Sequence, residues 1–298
     1  VPRLRLDASI QARACAAGAE FRGRHLVADI ICLDGAACGV QARTPGGLRE
    51  YHARGVVIAT GAATRLLESA GLLPAKPAHM LAARAYFDDV LGIDDQIEFY
   101  FNQVSLPGYG WMFPTGPRSA NVGVGYIGDL HPSPRSAFQQ LIVTHPRLQT
   151  ILADAKTDGV VKGFPLRVDF HRAQKTAPGI VATGEAVGLV NPFTGEGIDY
   201  ALESGQLAAG AIADLLARGA PWTTANLAHY ERALDRRFKT LFVMMMRARR
   251  LYYNRMVLNR IFGANRRALL ETLMGIVFSN TDPGLAFAPR TLLQIARP

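Results

Sequence analysis

Apolar and polar positions follow two rhythms in this chain, and the places where the rhythm changes divide it. From Ile198 onward, small and apolar residues return at Ala201, Leu202, Gly205, Ala208, Ala209, Ile212, Leu215 and Leu216. That is the 3.6-residue period of a helix with one face for packing. The helix is predicted to begin near Gly197, after a short apolar strand at 179–182, a break at Gly184 and a loop rich in Gly and Pro. This order leaves backbone N–H groups around Gly195-Glu196-Gly197 open and aims the positive end of a helix dipole outward. An electron-rich ligand group suits that position.

Upstream, residues 3–17 read as a helix stopped by Gly18, a good C-cap residue, and 19–21 as a short parallel strand. Runs at 25–32, 38–43 and 48–52, separated by Asp34-Gly35 and Thr44-Pro45-Gly46-Gly47, predict an antiparallel meander. Residues 55–62 are continuously apolar and β-branched before ending in Ala59-Thr60-Gly61, as a central parallel strand would be. After Pro74 the rhythm shifts to period two. Segments 79–90, 97–104 and 121–126 alternate and are rich in aromatic residues, the pattern of an antiparallel sheet with one buried face. Between them, Tyr109, Trp111 and Phe113 fall on one side of an extended strand that ends at Pro114. Residues 136–151 predict an amphipathic helix interrupted near His145-Pro146.

Composition narrows the class. The chain has 298 residues, 49% of them hydrophobic, with 29 Gly and a formal charge of +9, which suits a globular protein with a substantial core. Cys15, Cys32 and Cys38 form no C-x-x-C pair and lack His neighbours at ligand spacing, so neither a metal site nor a redox disulfide is expected. The histidines at 79, 131, 145 and 171 are scattered and read as core or surface residues. No run reaches the roughly 20 apolar residues of a membrane span, and no signal-peptide pattern opens the chain, so a cytoplasmic protein is expected. The segment 231–267 carries ten Arg and one Lys against two acids, interleaved with Leu241 to Met246 and Leu251-Tyr252-Tyr253. Nucleic acid is disfavoured because no recognition motif accompanies the charge. A helical cap that also touches anionic phospholipid at the membrane periphery stands against simple packing on the core.

The run G-E-A-V-G-L-V-N-P-F-T-G-E-G-I-D-Y-A-L-E-S-G resembles the second flavin-binding motif of the geranylgeranyl reductase family, within the hydroxybenzoate-hydroxylase-like class of FAD enzymes. Tyr109-Gly110-Trp111-Met112-Phe113-Pro114 is similar to the Y-x-W-x-F-P motif of the same family, and Arg3-Leu4-Arg5-Leu6-Asp7 to its R-x-x-[FL]-D helix. The resemblance runs from Arg3 to about Ala217. It implies an α/β fold, α+β overall: a dinucleotide-binding FAD domain built from 1–73 and 178–220, an antiparallel substrate domain at 74–177, and a C-terminal helical cap at 221–298. It further implies that Gly184, Glu185, Pro192, Gly195, Glu196, Gly197 and Ile198 bind FAD, with Thr60, Gly61 and Arg3 nearby, although Arg3 reads equally as a solvated helix residue. Glu185 stands where the family usually has Asp, and its extra methylene would overshoot a ribityl hydroxyl unless the loop retracts. No G-x-G-x-x-G turn follows a first strand, and the resemblance predicts one upstream of Val1.

The implied activity is FAD-dependent reduction of carbon–carbon double bonds in a geranylgeranyl-type lipid, pigment or quinone precursor, with NADPH or ferredoxin as electron donor. Tyr109, Trp111, Phe113 and Pro114 would line a hydrophobic passage for the prenyl chain. Tyr109 and a flavin-bound water are rival proton donors. Two alternatives stay open: a monooxygenase or halogenase on the same fold, and a non-catalytic lipid-binding fragment or relic.

Overall fold

A computed structural model describes residues 2–73, 75–127, 133–157 and 159–263. The expected strand at 79–90, the aromatic strand and the split helix all lie within them. His131 and the cap beyond residue 263 lie outside the described residues.

Helix α1 (Arg3–Ala16) precedes a meander of β1 (Leu26–Leu33), β2 (Ala36–Thr44) and β3 (Gly47–His52). Asp34-Gly35 turns the first hairpin with both residues at positive φ, as the dipeptide predicts. The expected strand at 19–21 does not form. Those residues are exposed and pair with no strand among the described residues.

Strand β4 (Val56–Ile58) comes next, then the short helix α2 (Arg65–Ser69). β4 runs parallel to β12 (Ile180–Ala182), and β12 pairs antiparallel with β11 (Thr176–Ala177). The strand is parallel as expected but not central. It lies at the edge of these three among the described residues, and Val57 is 45% exposed. Val56 and Ile58, which point the other way, are buried.

The middle of the chain builds a six-stranded antiparallel sheet. Its path is β10 (Lys162–Arg167), β5 (His79–Asp88), β8 (Ser119–Ile127), β7 (Gly108–Gly116) and β6 (Glu98–Tyr100), with β9 (Lys156–Thr157) paired to β5. Helices α3 (Pro134–Thr144) and α4 (Pro146–Ile151) cover one face. Pro146 starts the second helix while His145 stays extended, so the interruption falls where expected. Met112, Val122, Val124, Phe138 and Leu141 form the core between sheet and helices.

A second core lies under β4 and β12. There α5 (Ile198–Ala217) and α6 (Thr224–Leu234), a π-helical stretch (Asp235–Lys239) and α7 (Thr240–Tyr252) pack together, and α8 (Arg255–Gly263) follows. Helix α5 begins where predicted, but its buried face is rotated from the expected stripe. Ser204, Ala208, Ala211 and Leu215 are buried, whereas Ile198 and Leu202 are 44% and 48% exposed. Close approach to Gly184 favours small residues at the start of the helix, where a Cβ added at Gly184 would come within 3.2 Å of the Ala201 Cβ, while Leu215 is buried farther along.

Candidate functional site

The loop between β12 and α5 is organised by Asn191. Its side-chain oxygen accepts from the N–H groups of Phe193 (2.9 Å) and Thr194 (3.3 Å), its main-chain carbonyl accepts from Gly195 N (2.9 Å), and its main-chain N–H donates to the Glu196 carbonyl (2.7 Å). An Asn held this way replaces secondary structure for six residues. Nothing in the linear pattern distinguished it. The loop then delivers Gly197 as N-cap of α5 with no side-chain capping bond, so the first helical amides face outward without an intrahelical acceptor.

These amides open on a cleft of about 1090 Å³. Arg3, Gly61, Gly184, Glu185, Gly195, Glu196, Gly197 and Ile198, all expected to bind one ligand, line it together. Thr60 and Pro192 do not. The Thr60 hydroxyl donates to the Ala63 carbonyl, and the Pro192 carbonyl accepts from Arg249 at 3.3 Å. Arg3 is exposed and forms an ion pair with Asp7 one helical turn on, at 3.1 Å. Burial pushes the carboxyl groups of both Glu185 and Glu196 above the usual range, the Arg167 amide opposing this at Glu185 and the neighbouring Asp199 adding to it at Glu196. Beneath the turn, the Ser204 hydroxyl accepts from Thr183 Oγ1 (3.0 Å) and Gly184 N (3.1 Å), tying α5 to the end of β12.

Behind the cleft stands the aromatic face of β7. Tyr109 and Trp111 are 5.8 Å apart, and Trp111 stacks on Phe113 at 5.9 Å, so alternation put the three rings on one side as expected. Phe99 on β6 joins edge-on to Tyr109 and Phe113. The indole lies flat across β8. Its Nε1 donates to Asn121 Oδ1 at 2.8 Å, and a Cβ at Gly123, its cross-strand partner, would sit 2.2 Å from the ring. Glycine in this strand makes room for Trp111. Tyr253, at the end of α7, closes the group: its ring stacks on Phe193 at 4.8 Å and its hydroxyl donates to the Phe193 carbonyl at 2.9 Å.

Tyr109, Trp111, Phe113 and Pro114 are not among the residues lining the cleft. The two sites meet at Gly195. The Tyr109 hydroxyl donates to the Thr194 carbonyl, and a Cβ on Gly195 would lie 3.7 Å from that hydroxyl. Burial raises the Tyr109 pKa well above the ordinary phenol range.

A family model described as the geranylgeranyl reductase catalytic domain matches residues 82–156, the stretch from β5 to β9 that holds the aromatic strand. Digeranylgeranylglycerophospholipid reductase 2 of Methanopyrus kandleri is 30% identical over 255 residues, covering 83% of this chain and 63% of its own. The chain is related to the geranylgeranyl reductases. It spans less than two thirds of the length of the curated relatives it matches first. Among solved structures, a geranylgeranyl bacteriochlorophyll reductase-like protein from Thermoplasma acidophilum superposes with a TM-score of 0.78 at 22% identity, over 98% of this chain and 71% of that one. The flavin-dependent brominase Bmp2 superposes with a TM-score of 0.72 at 18% identity, over 100% of this chain and 76% of that one. The solved Thermoplasma protein and the brominase thus share this mixed α/β architecture, and the likeness to them concerns the fold alone.

Proposed function

We propose that this chain forms the cofactor-facing and substrate-facing surfaces of an FAD-dependent reductase that saturates double bonds of a geranylgeranyl-type lipid. One observation supports the reading: Gly195 lines the cleft and lies beside the hydroxyl of Tyr109, so the inner end of the aromatic strand reaches the cleft at this residue. The cleft residues suit a flavin. Uncapped amides at Gly197 and Ile198 favour an electron-rich edge, Glu185 offers a carboxylate to a polyol, and Gly61, Gly184 and Gly195, all at positive φ, allow close approach. Arg3 and Glu196 complete the proposed cofactor surround.

When bound in its reduced form, a flavin supplies hydride to one alkene carbon. This chain's residues place the alkene, exclude water and admit a proton to the other carbon. Trp111, Phe113 and Pro114 would hold the prenyl chain by apolar contact, with Tyr109 at the inner end. The Tyr109 proton is committed to the Thr194 carbonyl, which favours a water in the cleft over this phenol as the proton source. NADPH or ferredoxin would reduce the flavin. No helix among the described residues is long and apolar enough to cross a membrane. We infer that a cytoplasmic protein reaches its lipid by laying the basic surface of the π-helical stretch and α7, where Arg236, Arg247 and Arg250 are exposed, on anionic headgroups.

Anaerobic photoreduction of the flavin-loaded protein, followed by mixing with prenylated phospholipids, tests the proposal. Reoxidation of the flavin with loss of a double bond is expected. Turnover that consumes O₂ would favour the monooxygenase or halogenase alternative, and a protein that takes up no FAD would favour the non-catalytic one.

A further inference from the structure

Arg167 is among the largest fully buried side chains, 1% exposed, and none of the motifs above includes it. It ends β10, an edge strand of the six-stranded sheet. Val168 N donates to Ala78 O (3.0 Å) on the β5 side, so the Arg167 N–H points outward from the sheet, where an edge amide needs another acceptor. That acceptor is Glu185 Oε1, at 3.0 Å. The Arg167 side chain reaches the same turn from the other direction. Nη1 donates to the Ala186 carbonyl at 2.6 Å, while Nε and Nη2 hold both oxygens of Asp169 at 3.1 Å. A buried guanidinium is tolerable when its charge is paired and its donors are satisfied. Asp169 also abuts the far end of the turn, where a Cβ on Gly188 would lie 2.6 Å from Asp169 Oδ1.

We propose that Arg167, locked by Asp169, is a positioning residue that fixes the Glu185–Ala186 turn and presents the second oxygen of Glu185 to the ligand in the cleft. The proposal rests on the reading of that cleft as a polyol-bearing cofactor site. The two oxygens of Glu185 divide the work. Oε1 is spent on the strand edge, and Oε2 is left beside Gly61, 3.7 Å from where a Cβ on that glycine would be. The methylene that Glu has beyond Asp therefore bridges to Arg167 and does not overshoot the ligand. The clamp joins the sheet bearing the aromatic strand to the turn bearing the carboxylate, so both surfaces move as one.

The test uses the full chain with Arg167→Met, Arg167→Lys and Glu185→Ala. Amide exchange in the unliganded protein reads the clamp directly. Gly188 N and Leu189 N, bonded to Glu185 O (2.8 Å) and Gly184 O (3.3 Å), should exchange faster in Arg167→Met, while amides in β8 keep their protection. FAD titration reads the consequence, with Kd rising roughly ten- to hundredfold in Arg167→Met. In a Glu185→Ala background the same substitution should change Kd less than about twofold, because the positioned group is gone. Equal losses in both backgrounds would reduce Arg167 to a general structural role and overturn the proposal, as would unchanged exchange in the turn. Should Arg167→Met not fold, Arg167→Lys keeps the charge against Asp169 but not the forked reach, and it must still show faster exchange. If the unmutated chain takes up no FAD, the flavin reading falls and with it the ligand-facing role of Glu185, while exchange still decides the clamp.

Discussion

The cleft and the aromatic face lie on either side of Gly195 and are built on opposite principles. The cleft is an open surface shaped by main chain, with glycines at positive φ, uncapped amides and a loop held by Asn191, and lined as well by side chains such as Glu185 and Glu196. The aromatic face is made of side chains, with rings stacked, tilted or edge-on against one another and each polar tip given a partner, Trp111 to Asn121, Tyr109 to Thr194 and Tyr253 to Phe193. Substitutions in the first should alter what the protein binds through changes of backbone shape. Those in the second should act through packing and reach the cleft through the loop at Phe193, Thr194 and Gly195.

The sharpest break is expected at Gly188, whose φ of +75° and contact with Asp169 leave no space for a Cβ. Gly188→Ala should cost about 3 kcal/mol or more in denaturant unfolding, and an unchanged midpoint would show that the turn is not set by its backbone. Next is Trp111→Ala, which empties a ring site and should cost about 2–4 kcal/mol. It should slow flavin reoxidation by prenyl substrate yet leave the bound colour intact. Loss of colour would assign the aromatic strand to cofactor binding or folding. Tyr109→Phe keeps the ring and removes one buried hydrogen bond. About 1 kcal/mol of stability should go, with a small rise in FAD Kd as the Thr194 carbonyl loses its donor.

The smallest effect is electrostatic. Burial raises the Glu185 carboxyl pKa, so the folded chain favours the protonated form more than the unfolded chain does. The associated stability is fully present below the ordinary carboxylate pKa and is lost as pH rises through the raised folded value. Glu185→Gln should therefore leave Tm unchanged in acid and raise it slightly at neutral pH. A lower Tm at neutral pH would mean that the charged carboxylate stabilises the turn.

Periodicity and turn chemistry made several elements legible before any coordinates: the meander, the split helix at Pro146, the start of α5 and the common face of Tyr109, Trp111 and Phe113. These depend on contacts within a few residues or on the strict alternation of a strand. The open amides around Gly195, Glu196 and Gly197 could be expected for the same reason, since the loop and helix start that carry them are continuous in sequence, while Gly184, Glu185, Pro192 and Ile198 were named through resemblance. Arg3 and Gly61 reach the cleft from distant elements and were named through resemblance, not spacing. The buried face of α5 was read in part: Ala208 and Leu215 are inside as expected, but Leu202 and Ile198 are exposed while Ser204 and Ala211 are buried, because apolar character marks what can be inside and not which stripe the packing selects.

By itself the sequence determined most strands and helices, the turn glycines such as Gly35, and that open helical amides would stand near Gly197. Tertiary structure alone decided that Arg167, 18 residues from Glu185, supplies its main-chain partner, that Gly123 makes room for Trp111, and that Tyr109 meets the cleft through Thr194. Propensity and period act over a few residues, but a buried donor or ring takes whichever acceptor or hollow the packed chain brings to it, and no local pattern encodes that choice.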